Sequence, residues 1–155
     1  MPIFTKVESF VKQISIFLKK EEYQKAHSLS EEMTQAFPKE LLSHFLLAKS
    51  AFGMGDYEEA VLEARKAFNI STQRADMAAS ALLISTGLFM LGKYDEGYQM
   101  LEPYGDIKNE SVQEMLLIFS AVLGKEGEAG KYARKLMKLN AKMAEDLIVK
   151  FLERR

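Results

Sequence analysis

The chain has no cysteine and no tryptophan, and only three prolines, among its 155 residues. Without cysteine it can form no disulfide framework, no thiolate nucleophile and no zinc site built on thiolates. The fold must therefore be stabilised by packing of apolar residues, which make up 48% of the sequence. A chain of this length is typical of one globular domain, and we predict a single domain over residues 1–155.

The sequence also lacks an excess of charge of either sign. It has 21 basic and 22 acidic residues, which gives a formal net charge of −1. Such a chain has no excess of positive charge with which to bind a phosphate backbone. We therefore do not expect nucleic acid as a partner.

Long uninterrupted apolar runs are missing as well. Lys6, Glu8 and Lys12 interrupt the N-terminal stretch, so it does not have the unbroken apolar core of a signal peptide. The longest uncharged apolar run, residues 77–91, is shorter than the roughly 20 residues that cross a bilayer. We expect a cytoplasmic protein without membrane insertion.

Helical spacing of apolar residues dominates what is present, and alternating strand patterns are nearly absent. Short joints marked by Gly, Pro or small polar residues separate the helical segments. The predicted helices span residues 3–19, 22–36, 40–53, 56–70, 74–91, 94–104, 109–123, 126–139 and 141–154. The fold class is therefore all-α.

One short string recurs along the chain, as MGDYEEA from Met54, LGKYDEG from Leu91 and LGKEGEA from Leu123, with a weaker copy, KEEYQKA, from Lys20. The tyrosines at 23 and 57 are 34 residues apart, and those at 57 and 94 are 37 apart. In the three strings that contain Gly, this residue ends one helix, and acidic residues favour the start of the next. The period of about 34 predicts repeated helix hairpins.

The second copy carries the fullest motif, which comprises His44, Leu47, Ala48, Ala51, Gly55, Tyr57, Ala60, Ala64 and Ala67. On these residues the chain resembles the tetratricopeptide repeat (TPR) family, as a small member with about four repeats. The resemblance implies a right-handed α-α superhelix with repeats at about 7–40, 41–77, 78–109 and 110–140, followed by a capping helix at 141–155. Leu101 and Tyr104 replace small residues in the third copy, and we expect the helix packing to open there.

In proteins of this family the first helix of each pair lines a concave groove that binds a peptide or helix of another protein. The resemblance therefore implies a non-catalytic protein–protein interaction module, scaffold-like or chaperone-like. Counting back from each turn places ten candidate residues in the groove: Val11, Ser15, Leu18, Phe45, Lys49, Phe52, Leu82, Thr86, Phe89 and Ile118. Only Lys49 is charged, so an amphipathic helix or apolar segment is a better ligand than a terminal carboxylate.

A different reading of the same residues stays open. The apolar groove could be filled by the chain's own terminal helix or by a second copy, which would make the protein a homo-oligomeric structural or assembly protein. In either case the partner is protein.

The sequence offers little for catalysis or cofactor binding. His27 and His44 are the only histidines and do not have metal-ligand spacing, and His44 occupies the bulky packing position of its repeat. The stretch from Gly124 to Lys131 resembles a phosphate loop but has Tyr132 where Ser or Thr is required. We predict no catalytic residue, no cofactor and no metal.

Overall fold

The structure is a computed structural model that describes residues 5–152. Nine α-helices follow one another in this part of the chain, and it contains no strand. They are α1 (Val7–Lys19), α2 (Tyr23–Ala36), α3 (Leu41–Gly53), α4 (Tyr57–Ile70), α5 (Arg74–Met90), α6 (Tyr94–Leu101), α7 (Glu110–Val122), α8 (Glu126–Leu139) and α9 (Ala141–Leu147). The all-helical class predicted from the sequence is confirmed.

The predicted helix bounds agree with these closely, with two differences in the second half of the chain. The helix predicted at 94–104 ends at Leu101 and continues as a 3₁₀ turn, Glu102–Tyr104. The terminal helix changes from α to π geometry over Ile148–Leu152. Predicted helical residues 3, 4, 153 and 154 lie outside the described part of the chain.

The contacts divide the chain into two compact units, with the boundary between Gly87 and Leu88 in the last turn of α5. In unit 1, α2 packs against α1 and α3, and α3 packs against α4. In unit 2, α7 packs against α6 and α8, and α9 packs against α8. Consecutive helices thus pack as neighbours within each unit, which is compatible with a helical repeat. The prediction of a single domain stays a prediction.

The four helix–turn–helix joints share one backbone geometry. Gly55, Gly92 and Gly124 have φ of 80°, 77° and 74°, and Glu21 has φ of 57° at the first joint. The residue after each of these donates its N–H to a carbonyl five residues back; at the second joint, Asp56 N lies 2.9 Å from Ala51 O. This bond defines the Schellman helix end. The motif favours glycine at the left-handed position, because glycine has no Cβ and adopts a positive φ without steric strain.

Small residues allow close helix packing just after each joint. Ala26, Ala60 and Ala129 are fully buried, and Gly97 is buried at the equivalent place. At the first joint, Tyr23 packs its ring directly over Gly53, where a Cβ would overlap it. The second helix of each pair can therefore approach its neighbours closely.

The third copy accommodates its two bulky residues by a change of helix geometry. Leu101 and Tyr104 are both buried, although they replace the small residues of the other copies. Pro103 lies between them in the 3₁₀ turn. Because proline cannot continue the hydrogen-bond pattern of a helix interior, α6 has only eight residues.

Candidate protein-binding surface

Eight of the predicted groove residues lie in unit 1, and seven of these are half-buried. Lys49 is the exception, because its side chain is exposed. Val11, Ser15 and Leu18 lie on α1, Phe45, Lys49 and Phe52 on α3, and Leu82 and Thr86 on α5. Half-burial means that each side chain contacts its own unit while part of its surface stays accessible.

Val11 and Leu18 contact the apolar core of unit 1. They pack against a cluster of buried residues from α1, α2 and α3 that includes Phe10, Ile14 and Met33. Their outer surfaces border the predicted groove, but their inner surfaces belong to this core. Substituting them would therefore change stability as well as any binding surface.

The aromatic residues of α3 contact their neighbours in the chain. The Phe52 ring lies edge-on to the ring of Tyr57, the joint tyrosine, with 5.2 Å between centroids. The Lys49 ammonium lies 5.8 Å from the centre of the Phe45 ring one helical turn earlier. The structure thus brings Phe45 and Lys49 together, whereas Phe52 contributes to the joint.

The two predicted groove residues of unit 2, Phe89 and Ile118, are also half-buried. Phe89 is 5.0 Å from the ring centre of Tyr94 and 5.5 Å from that of Phe119, edge-on in both cases. Phe119 is fully buried. Phe89 therefore contacts both the joint tyrosine and the core of unit 2. Its contact with Tyr94 is equivalent to the contact of Phe52 with Tyr57 in unit 1.

The most exposed large apolar residue of the described chain, Leu62, was not predicted as a binding residue. It lies on α4 with 56% of its surface accessible, and Ile70 on the same helix is also exposed. One signal was available in the sequence, since Val61 and Leu62 are consecutive and only one of two adjacent helical residues can face the core fully. Val61 is the buried one.

A pocket of about 640 Å³ opens in unit 1 beside α1 and α2. It involves none of the predicted groove residues. Phe17, Leu29 and Met54 give it apolar walls, and polar side chains of both helices complete it. One carboxylate oxygen of Glu32, which also lines the pocket, is buried without a hydrogen-bond partner.

A smaller, polar pocket of about 430 Å³ lies in unit 2 between the 3₁₀ turn and α8. Lys131 and Lys135 place their ammonium groups 5.2 and 5.7 Å from the ring centre of Tyr132. Burial, followed by hydrogen bonds to Tyr132 and Glu102, raises the pKa of Tyr98, so its hydroxyl stays protonated. Lys135 also donates to the Gly105 carbonyl at 2.8 Å, so its amine is already engaged.

The sequence predicts only a packing role for His44. In the structure its ring also forms two hydrogen bonds. Its ring is buried, with Nδ1 2.9 Å from Glu63 Oε2 and Nε2 2.6 Å from the Pro38 carbonyl oxygen. Burial acts to raise the pKa of Glu63, but hydrogen bonds from His44 and Lys66 outweigh it and hold that pKa below 4.5. Sequence spacing could not reveal this, because the pairing depends on how α3 packs against α4.

His27 also bridges carboxylates of unit 1. Its Nε2 is 2.8 Å from Glu59 on α4, and its Nδ1 is 3.3 Å from Glu31 one turn along α2. Over residues 5–152, no group of three or more His, Asp or Glu side chains has an arrangement that could hold a metal ion.

Comparisons with known proteins supply no family. A scan against protein-family models finds no match, and a search of curated proteins finds none either. Within residues 5–152, the longest apolar helix falls short of what a membrane span requires.

Proposed function

We propose that this chain is a non-catalytic, TPR-like protein-binding module of the cytoplasm. In this proposal the first helix of each pair presents half-buried apolar side chains to an amphipathic helix or apolar segment of another protein. The observation that supports it best is the joint geometry. Four joints share a left-handed residue and the same five-residue hydrogen bond, as expected of a repeated hairpin.

The chemistry of the α3 face favours an apolar ligand with few charges. Phe45 presents a half-buried ring, and Lys49 above it is the one exposed charge of the predicted groove. Burying an aromatic or leucine side chain contributes about 1.5–3 kcal/mol. Four such anchors contribute about 6–12 kcal/mol in total. Because ordering a free segment offsets several kcal/mol of this, binding reaches about the micromolar range at best.

The test uses two double variants of unit 1 that remove similar apolar side chains from different faces. Phe45→Ala with Leu82→Ala truncates the predicted groove on α3 and α5. Leu62→Ala with Ile70→Ala truncates the exposed apolar residues of α4 and is the matched control. Phe52 and Phe89 are less suitable, because their substitution also removes contacts with the joint tyrosines.

Peptides selected by the wild type from a displayed library of random 16-residue sequences provide the probe. We expect them to carry apolar residues at i, i+3 and i+7, as a helix in a groove requires. The groove variant should bind them about tenfold more weakly or worse, and the α4 control within about twofold. Equal loss in both variants, or selected peptides without apolar spacing, would contradict the proposal.

The alternative is that a second copy of the chain occupies the predicted groove. It predicts a dimer in analytical ultracentrifugation that the groove variant dissociates and the α4 control does not. A monomeric wild type that binds the selected peptides favours the proposal over this alternative.

A further inference from the structure

The pocket beside α1 and α2 contains a carboxylate oxygen that no other group of the described chain satisfies. Oε2 of Glu32 is buried and has no hydrogen-bond partner. The side chain as a whole is half-buried and lines the pocket. Rotation about its last bond, which has a broad energy profile, can present either oxygen to the pocket. Because an unpaired carboxylate oxygen away from water is unfavourable, a hydrogen-bond donor that enters the pocket is stabilised there.

The two basic side chains that line the pocket are already engaged with other carboxylates. Lys25 Nζ lies 2.8 Å from Glu22 Oε2. His27 is shared by Glu59 and Glu31, at 2.8 and 3.3 Å. One histidine neutralises at most one of the two carboxylates between which it lies. Negative charge therefore exceeds positive charge around the pocket.

Apolar surface lies beside this negative charge. Phe17, Leu29 and Met54 line the pocket, and Met54 is 44% exposed. The lining residues of α2 run from Gln24 to Glu32, which is about 12 Å along the helix axis. The pocket volume of about 640 Å³ is within the range of small-ligand sites. The pocket thus has room for an apolar stem as well as a charged group.

We propose that this pocket is a binding site for an organic cation, in which an ammonium or guanidinium group is attached to an apolar stem. The charged group pairs with Glu32, and the stem lies against Phe17 and Met54. A guanidinium group fits best, because its planar fork donates two parallel hydrogen bonds to a carboxylate. None of the predicted groove residues lines the pocket, so the site does not depend on the proposed function.

The first test compares two ligands that differ in charge but share stem and shape. n-Hexylguanidinium and the neutral n-hexylurea are titrated into the full-length wild type at pH 7 in about 0.15 M salt, followed by ¹⁵N–¹H NMR. We expect the cation to bind about tenfold more tightly. The largest shifts should occur at the side-chain amides of Gln13 and Gln24, which line the pocket. Equal affinity, or shifts spread over the whole surface, would overturn the proposal.

Two further cations test the stem and the source of the ligand. Methylguanidinium has no stem and should bind about tenfold more weakly than n-hexylguanidinium, or worse. Equal affinity of these two would show that the apolar walls take no part and would contradict the site as proposed. N-acetyl-arginine methylamide carries the same charged group on a peptide. Binding as tight as that of n-hexylguanidinium supports a site for an arginine side chain of a protein, and weaker binding supports a site for a free cation.

Glu32→Gln tests the carboxylate, because the amide keeps the size of the side chain and removes its charge. We expect this variant to bind n-hexylguanidinium and n-hexylurea equally. Glu31→Gln is the matched control, since Glu31 is adjacent on α2, is 56% exposed and does not line the pocket. It should keep the wild-type preference within about twofold. A preference that survives in Glu32→Gln, or that is lost equally in both variants, would overturn the proposal. The comparison of ligands in the wild type does not require either variant to fold.

Discussion

At the scale of single residues, specific partners hold two of the buried polar side chains, Glu63 and Gln113. Glu63 is a carboxylate with 7% of its surface accessible, and it receives hydrogen bonds from His44 and Lys66. Those bonds hold its pKa below the ordinary 4.5 despite its burial. The folded state therefore favours the charged form of Glu63 more than the unfolded chain does.

This pKa shift predicts how stability responds to acid. A carboxyl whose pKa is lowered by folding stabilises the protein above its unfolded-state value, about 4.5. The contribution disappears as the pH falls through the lowered, folded-state pKa. We expect Glu63→Gln to reduce the free energy of unfolding by about 1–3 kcal/mol at pH 6, and by less at pH 3, in urea titrations. A constant difference across this range would contradict the assignment.

Gln113 on α7 is a second buried polar residue with a defined role. Its Nε2 donates to the carbonyls of Gly105 and Ile107, both at 2.9 Å, and so fixes the loop before α7. Gln113→Leu keeps the size but removes both donors, and we expect a loss of about 1–3 kcal/mol in urea unfolding. Glu114→Ala, at the neighbouring half-buried position, should cost clearly less. Equal losses would show that the two bonds contribute little.

At the scale of the helical element, the joints determine where each hairpin turns. Gly124 has φ of 74° and no atom within 4 Å of the place where a Cβ would lie. Gly124→Ala therefore changes only the backbone preference, and we expect a loss of about 1–2 kcal/mol. Gly127→Ala, in α8 and equally uncrowded, should instead be neutral or stabilising by a few tenths of a kcal/mol. Thermal unfolding of the two variants checks the opposite signs.

Glu21 provides the reverse experiment at the first joint. It is the one non-glycine residue with positive φ in the described chain, at 57°. Replacing it with glycine removes the strain that a side chain causes in the left-handed region. We expect Glu21→Gly to raise the free energy of unfolding by about 0.5–1 kcal/mol. Destabilisation would show that the glutamate side chain contributes more than its backbone costs.

Helix positions and joints were predictable from the sequence because both depend on local chemistry. Apolar spacing identified the helices, and the repeated strings identified three of the four left-handed residues, which are Gly55, Gly92 and Gly124. The early end of α6 was missed, because Pro103 competes there with an otherwise helical pattern. The His44 and Glu63 pair was also missed, since it depends on contacts between α3 and α4 that no single-helix pattern encodes.

The candidate binding surface was less predictable than the helices. Counting from the turns placed all ten groove residues on first helices, and nine of the ten are half-buried. Side-chain partners depend on packing, so the engagement of Phe52 and Phe89 with joint tyrosines could not be read from spacing alone. The exposed Leu62 of α4 was missed although its position next to Val61 was a signal, because the prediction covered first helices only.

At the scale of the whole molecule, the order of helix contacts determines how quickly the chain can fold. Within each unit, helices pack mainly against their neighbours in sequence, such as α3 with α4 and α7 with α8. Short loops close at little entropic cost, and folds rich in such local contacts reach the native state in microseconds to milliseconds. No disulfide has to form first, because the chain has no cysteine.

We therefore expect refolding from urea to recover most of the helical circular dichroism within about 10 ms at 25 °C in a stopped-flow experiment. Reducing agent should leave both the rate and the amplitude unchanged. Met33→Ala in unit 1 and Leu136→Ala in unit 2 each truncate a fully buried side chain, so the two variants compare the units. Each should act mainly on the unfolding rate unless its residue lies in the folding nucleus. A dominant phase lasting seconds would show that contacts between residues distant in sequence limit folding.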